Sequence, residues 1–392
     1  MKTISLKKKI ILKVSDYRSA IIQGKFLAKK GLWVSEYRIE SGLNCGGHAF
    51  ASDGYLLGPI LEEFKMNKTA LIDEIHGILV EALKSKEKHI PAEPLSLAIT
   101  VQGGVGNYEE HEFLMDNYNI DSVGWGSPFL LVPEVTTVDG VTRKALRVAK
   151  EKDLYLSNIS PLGVPFNSLR GNTNEILKNE RIAAGKAGSA CAKKFLSSNT
   201  EYTEKVICTA SKKYQTIKLN ELELENLSSS EFDKKANKIT EKACLCEGLA
   251  NAAFLNYGIE RKGEKQGVAI CPGPNMAYFT KDLSLKEMVD HIYGRANVIE
   301  TKNRPHMFIK ELEMYVNYFS NKVDEISESV NVKQQKYLTS FQSNLNDGIE
   351  YYHQLFSGSK IYFESNKELL LSDLETLRTA LFDIQIPVLV KA

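Results

Sequence analysis

The chain has 392 residues, of which 43% are hydrophobic and 25% charged, a composition that suits a globular protein of two or three domains. Lysine plus arginine (50) nearly equals aspartate plus glutamate (49), which argues against general nucleic-acid binding, because proteins of that class present a net basic face. No stretch approaches the ~18 apolar residues of a membrane span, and the six scattered cysteines favour reduced thiols, so we expect a cytoplasmic protein without a membrane segment.

The first 140 residues alternate between strand-like and helix-like segments. In the segment 69–83, apolar residues recur at the i, i+3/i+4, i+7 spacing of a buried helix face. Strands that alternate with helices predict parallel βαβ units, and four such units are visible. The predicted strands cover residues 9–14, 32–39, 95–101 and 121–124, and the predicted helices cover residues 17–30, 56–64, 69–83 and about 108–118.

The pattern changes after this part of the chain. Between residues 142 and 280 strand signals are scattered, turn residues are common, and five of the six cysteines occur. Farther on the sequence predicts helices, and Pro305 suits the first turn of a long one. We therefore expect three regions, 1–141, 142–280 and 281–392. Capping-box spacing, which marks the start of a helix, occurs at Ser284 with Glu287, Ser365 with Glu368, and Ser372 with Glu375.

Two glycine-rich segments follow consecutive predicted strands. Gly103 and Gly104 come after the third strand, and Gly126 and Ser127 come after the fourth. Glycine lets the backbone approach a ligand closely, and backbone N–H groups in such turns can hold an anion. Each motif alone is a weak signal, because a glycine pair most often marks only a tight turn. Together, one βα unit apart, they predict a phosphate site of the kind that (β/α)8 barrels build after their last two strands.

A third glycine pair, Gly46 and Gly47, precedes His48 at the end of the second predicted strand. These glycines would let a flat ring or a substrate lie close to the main chain. An imidazole is a plausible proton acceptor near neutral pH. The alternative is a hydrogen-bonded loop histidine, but catalytic groups of barrels lie at the carboxyl ends of strands, which favours a catalytic His48.

The cysteines permit a second kind of site. Cys244 and Cys246, with Cys191, Cys208 and Cys271, could supply thiolates to zinc or an iron–sulfur cluster. Their spacings match no C-x2-C pattern, and cysteine is among the most buried residue types. We therefore predict buried thiols and no bound metal.

The three glycine motifs together resemble those of nitronate monooxygenases, FMN-dependent barrels formerly grouped as 2-nitropropane dioxygenases. The resemblance covers about residues 9–170, and the segment 157–170 is similar to the stretch that follows the barrel in this family. It implies that His48 is the catalytic base and that Gly46, Gly47, Gly103, Gly104, Gly126 and Ser127 bind FMN. Flavin-dependent enoyl-acyl-carrier-protein reductases share the Gly-Gly-His and Gly-Gly motifs.

The resemblance also implies a fold. The four βα units correspond to strands 5–8 of an α/β fold of the (β/α)8 TIM-barrel type, followed here by a mixed and then a mostly α-helical C-terminal region. A barrel of this type needs eight strands, and four would leave two edges with unpaired backbone groups. We expect the missing strands to come from ~200 upstream residues, from a separate polypeptide, or from another copy of the chain.

The function expected from the sequence is an FMN-dependent oxidoreductase that resembles nitronate monooxygenase and acts on a small molecule. One alternative is a flavin-dependent enoyl-thioester reductase. Another is a non-catalytic half-barrel whose helical region binds a partner. A site that no longer functions should lose its glycines and its histidine during evolution. Their presence here favours an enzyme.

Overall fold

A computed structural model describes residues 8–260, 266–301, 303–326, 330–358 and 361–387. The described residues form a mixed α/β structure with a four-stranded parallel sheet, a two-stranded antiparallel hairpin and twelve α-helices. The strands are β1 (Ile10–Val14), β2 (Val34–Glu40), β3 (Ala98–Gln102), β4 (Ser122–Gly124), β5 (Leu154–Ser157) and β6 (Phe166–Leu169). The helices are α1 (Tyr17–Lys29), α2 (Leu57–Lys84), α3 (Tyr108–Tyr118), α4 (Gly140–Val148), α5 (Thr173–Ala183), α6 (Lys212–Glu223), α7 (Ser229–Thr240), α8 (Leu245–Asn256), α9 (Leu285–Ile292), α10 (Met307–Ile326), α11 (Val332–Gly358) and α12 (Lys367–Asp383).

The parallel sheet has the strand order β1-β2-β3-β4 that successive βα units produce. The predicted alternation of strands and helices is therefore confirmed. Within the described residues, β1 and β4 each have one strand neighbour and form the two edges of the sheet.

The two faces of the sheet differ because side chains alternate along a strand. On β2, Tyr37 and Ile39 are fully buried in the main core. Glu36, Arg38 and Glu40 point to the opposite face, where they are partly exposed. There Arg38 donates to Glu36, and the Gln102 amide of β3 donates to Glu40 at 2.6 Å. The polar face therefore satisfies much of its own hydrogen bonding.

Two details of the predicted helices are wrong. The segments 56–64 and 69–83 belong to one helix, α2, because the residues between them contain no glycine or proline to break it. The capping box at Ser284 and Glu287 is confirmed at the start of α9. The boxes at Ser365 and Ser372 are not formed, because α12 begins after Asn366 and Ser372 lies inside that helix.

The helical C-terminal region shares one hydrophobic core with the sheet. Phe308 of α10 stacks on Tyr352 of α11 with ring centroids 4.7 Å apart. Phe308 also meets Phe113 of α3 edge to face, and all three rings belong to the cluster that holds Tyr37 of β2. Helices α10 and α11 thus pack in the same core as the parallel sheet.

Among the described helices, none combines the length and the apolar character that a membrane crossing requires.

One carboxyl group, Glu311 of α10, is buried in this shared core and is 1% exposed. It accepts hydrogen bonds from the Ser41 hydroxyl at 2.5 Å, the Leu57 N–H at 2.9 Å and the Tyr352 hydroxyl at 3.2 Å. These contacts join the loop after β2, the start of α2, and helices α10 and α11. Burial raises the pKa of Glu311 to about 7.

We expect Glu311 to make stability depend on pH. A carboxyl group whose pKa is higher in the folded than in the unfolded state stabilises the fold most when it is protonated. Its contribution is therefore complete below the ordinary value of 4.5 and is lost as the pH rises through about 7. Between pH 5 and pH 8 the loss should be about 2 to 3 kcal/mol, from ~1.36 kcal/mol per pKa unit.

Urea unfolding at several pH values measures this effect. The wild type should lose that much more free energy of unfolding than Glu311→Gln, which cannot ionise. The exposed Glu93→Gln serves as the matched control. Equal pH dependence in the wild type and Glu311→Gln would contradict the prediction.

Candidate functional site

The carboxyl ends of β2, β3 and β4 border a small cavity of about 130 Å³, here called the glycine cavity. Parallel sheets bind ligands at this edge. Five of the seven predicted site residues line the cavity: Gly46, Gly103, Gly104, Gly126 and Ser127. Glu40, Asn44, Cys45, Gln102, Val105, Gly124, Trp125, Pro128, Gly273 and Asn275 complete its wall.

The glycines differ in what requires them. Gly103 and Gly104 have φ angles of +116° and +81°, which only glycine adopts readily. A Cβ at Gly104 would lie 2.1 Å from the Asn44 side-chain nitrogen, and one at Gly103 would lie 2.8 Å from the Ser41 Cβ. These two glycines are therefore needed by the loop itself. Gly126 has a φ of −124°, and a Cβ there would have no heavy atom within 4 Å.

Unused hydrogen-bonding groups belong to the cavity wall. Within the described part of the chain, the N–H groups of Gly104, Val105, Gly126 and Ser127 donate to no acceptor. The side-chain oxygen Oδ1 of Asn44 is buried and also has no hydrogen-bond partner. Val105 and Asn44 are buried, and buried polar groups in proteins are almost always paired, so this part of the wall suits a polar ligand. Four backbone donors favour a ligand that carries an anionic group.

A segment from a distant part of the chain, residues 271–275, crosses the cavity. The Gly47 N–H donates to the Cys271 carbonyl at 3.2 Å, and the Gly273 N–H donates to the Ser127 hydroxyl oxygen at 2.7 Å. At Gly46 a Cβ would lie 2.8 Å from the same Cys271 oxygen. The crossing segment thus explains Gly46 by close packing. The sequence prediction missed this segment, although Pro272-Gly273-Pro274 is a turn signal.

Arg304 and Glu110 form a buried ion pair behind the loop 103–106, here called the glycine loop. Both guanidinium Nη atoms donate to the carboxylate at 2.8 Å, and the two side chains are 7% and 2% exposed. Burial alone would raise the pKa of Glu110, but the Arg304 charge holds this pKa below its usual range. Arg304 also donates to the Gly104 carbonyl at 2.8 Å. Neither residue belongs to the predicted site.

His48 lies outside the lining of the glycine cavity. Gly47 has a φ of +78°, and after this turn His48 bridges to Phe166 of β6. The imidazole Nε2 lies 2.7 Å from the Ser160 hydroxyl, and the ring meets Phe166 edge to face. Burial, followed by the positive charge of Lys13, lowers the pKa of His48. The lowered pKa favours the neutral imidazole.

A much larger cleft of about 1100 Å³ lies between the β5–β6 hairpin, α7 and α10. Pro274 of the crossing segment lines it, so this segment borders both the cleft and the glycine cavity. In the cleft wall, the Arg170 guanidinium stacks over the Tyr155 ring at 4.0 Å. The sequence prediction did not include this cleft.

The cysteines are all free thiols. Cys45 lines the glycine cavity, and burial raises its pKa to about 12, so it is protonated at neutral pH. Among the described residues, no three His, Cys, Asp or Glu side chains are arranged to hold a metal ion. The absence of a bound metal stays a prediction.

Comparison of the chain with models of known protein families gave no match, and a search of curated proteins also gave none.

Proposed function

We propose that the protein is an FMN-dependent oxidoreductase. The observation that carries the proposal is the meeting of two glycine loops from consecutive parallel strands at one cavity. The unpaired N–H groups of Gly104, Val105, Gly126 and Ser127 belong to that cavity wall. These residues would hold the phosphate of FMN. When bound, the cofactor supplies the electron-carrying chemistry.

In this proposal His48 takes a proton from the substrate. In the tautomer whose Nε2–H donates to the Ser160 hydroxyl, Nδ1 is the unprotonated nitrogen and accepts that proton. The lowered pKa favours the base form of the imidazole. Ser160 and Phe166 would fix the orientation of the ring. This arrangement fits removal of a proton next to an electron-withdrawing group. Reduction of an enoyl thioester would instead need a proton donor at this position.

One observation favours the alternative of a non-catalytic half-barrel. Gly103 and Gly104 are required by packing against Ser41 and Asn44, so their presence alone does not require a ligand. The unpaired N–H of the buried Val105 has no such structural reason. For this reason we keep the cofactor site as the principal proposal.

The proposal is tested by FMN binding. We expect the purified protein to retain FMN, seen as the two visible absorption bands of an oxidised flavin, or to bind it stoichiometrically in equilibrium dialysis. Riboflavin, which lacks the phosphate, should bind more weakly. A protein that neither retains nor binds FMN would contradict the proposal.

We further propose that the four parallel strands are half of a (β/α)8 barrel that another polypeptide segment completes. The exposed edges of β1 and β4 would pair with further strands, since closure of such a barrel needs eight. Sedimentation should therefore show self-association or pairing with a second polypeptide. A monodisperse monomer of this chain that binds FMN tightly would contradict this half-barrel proposal.

A further inference from the structure

The carbonyl groups of the glycine loop are held by side chains from the C-terminal half of the protein. Arg304 donates to the Gly104 oxygen at 2.8 Å, and the Asn275 amide donates to the Val105 oxygen at 2.8 Å. His291 lies 2.9 Å from the Gly106 oxygen through Nε2. Because Nδ1 of His291 accepts from the Val298 N–H, Nε2 is the donor. Three successive carbonyls are thus each bound by a side chain.

This arrangement determines where the loop presents its N–H groups. The described chain contains no cis peptide bond, so the C=O and N–H of each peptide point in opposite directions. The Gly104 carbonyl points to Arg304, and the Val105 N–H in the same peptide therefore points away from Arg304. The next N–H, that of Gly106, is already bound to Glu110 at 2.9 Å. Val105 is left with an unused donor in the cavity wall.

Arg304 is itself held in a single orientation. Its Nη atoms bind both carboxylate oxygens of Glu110, and its Nε donates to Asn275 Oδ1 at 2.7 Å. Glu110 additionally accepts from the Met307 N–H at 2.8 Å. A buried ion pair contributes little net stability, since the loss of solvation offsets the attraction. A planar guanidinium with donors in fixed directions instead provides orientation, which lysine cannot replace.

We propose that Arg304, with Asn275, is a positioning residue that makes the glycine loop specific for a phosphorylated ligand. The inference rests on the proposed function. Arg304 and Glu110 together carry no net charge, so the loop attracts an anion through oriented N–H groups. Its preference should therefore be for FMN over riboflavin, which shares the ring and lacks the phosphate. The helical C-terminal region thereby acquires a role in ligand selection.

The test compares dissociation constants for FMN and riboflavin by flavin fluorescence in the wild type, Arg304→Lys and Arg147→Lys. Arg147 pairs with Asp282 away from the loop and is the matched control. Arg304→Lys should weaken FMN binding about 10- to 100-fold, the range for a lost hydrogen bond to a charged group. Riboflavin binding should stay unchanged, and Arg147→Lys should resemble the wild type. Equal weakening of both ligands, or of neither, would overturn the inference.

A second variant and a second probe keep the two proposals separate. If Arg304→Lys does not fold, Asn275→Ala removes the donor to the Val105 carbonyl and should give the same selective loss. Inorganic phosphate should shift the backbone amide NMR resonance of Val105 in the wild type. It should not do so in Arg304→Lys or in Asn275→Ala. A wild type that binds neither flavin but shows this shift would sink the proposed function and support the inference. A wild type without the shift would sink the inference.

Discussion

Replacement of His48 by alanine is expected to slow the substrate-driven reduction of bound flavin by about 100-fold or more, the effect typical of a lost general base. FMN binding should change little, because His48 does not line the glycine cavity. The measurement is the anaerobic rate of flavin bleaching with a substrate that the wild type turns over. Alanine at the exposed His353 is the control. An unchanged rate in His48→Ala would exclude His48 as the base.

The pH dependence of the same rate provides a second criterion. Burial and the Lys13 charge lower the pKa of His48 below its ordinary value of 6.5. The rate should therefore rise with pH, with the midpoint of the rise below 6.5. Lys13→Met removes the positive charge, so the pKa should increase and the rising limb should move to higher pH. A limb that moves to lower pH would contradict this assignment.

Replacement of Gly126 by valine is expected to weaken FMN binding about 5- to 150-fold, from the ~1 to 3 kcal/mol that added bulk costs in a filled site. Gly126 is the informative position, since its added Cβ meets no protein atom within 4 Å and its φ is negative. Substitution at Gly104 would be ambiguous, because a Cβ there collides with Asn44 in the empty loop.

Equilibrium dialysis and thermal unfolding together measure this effect. Gly126→Val should keep the melting temperature of the FMN-free wild type, while its affinity for FMN falls. The control is Gly140→Val, because Gly140 also has free space around its Cβ and lies outside the cavity. Full FMN occupancy in Gly126→Val would show that the loop does not hold the phosphate.

Local sequence patterns predicted the part of the site that strands and their following loops create. The alternation of strands and helices sets a parallel order, and this order brings Gly103 and Gly126 to the same edge of the sheet. Both loops could therefore be assigned to one cavity without a structure. The barrel, the cofactor and the catalytic role of His48 remain proposals, since they depend on family resemblance.

The sequence could not predict the parts of the site that depend on long-range packing. Asn275 and Arg304 lie 170 and 200 residues from the loop atoms they bind, and no periodicity marks either one. Glycine spacing placed His48 at a strand end, but the φ of +78° at Gly47 turns the imidazole toward Phe166. The capping spacing at Ser372 occurs inside α12, where apolar packing outweighs the local signal.

The Arg304 contact has a consequence for biosynthesis. The glycine loop is translated about 200 residues before the arginine that fixes its carbonyl. A nascent chain that ends before residue 304 therefore presents strands β1–β4 and the glycines, but an unfixed loop. Contacts at such sequence separation form late in folding, because a long chain segment must first be closed. Uptake of the proposed cofactor should accordingly follow synthesis of the segment that contains Arg304.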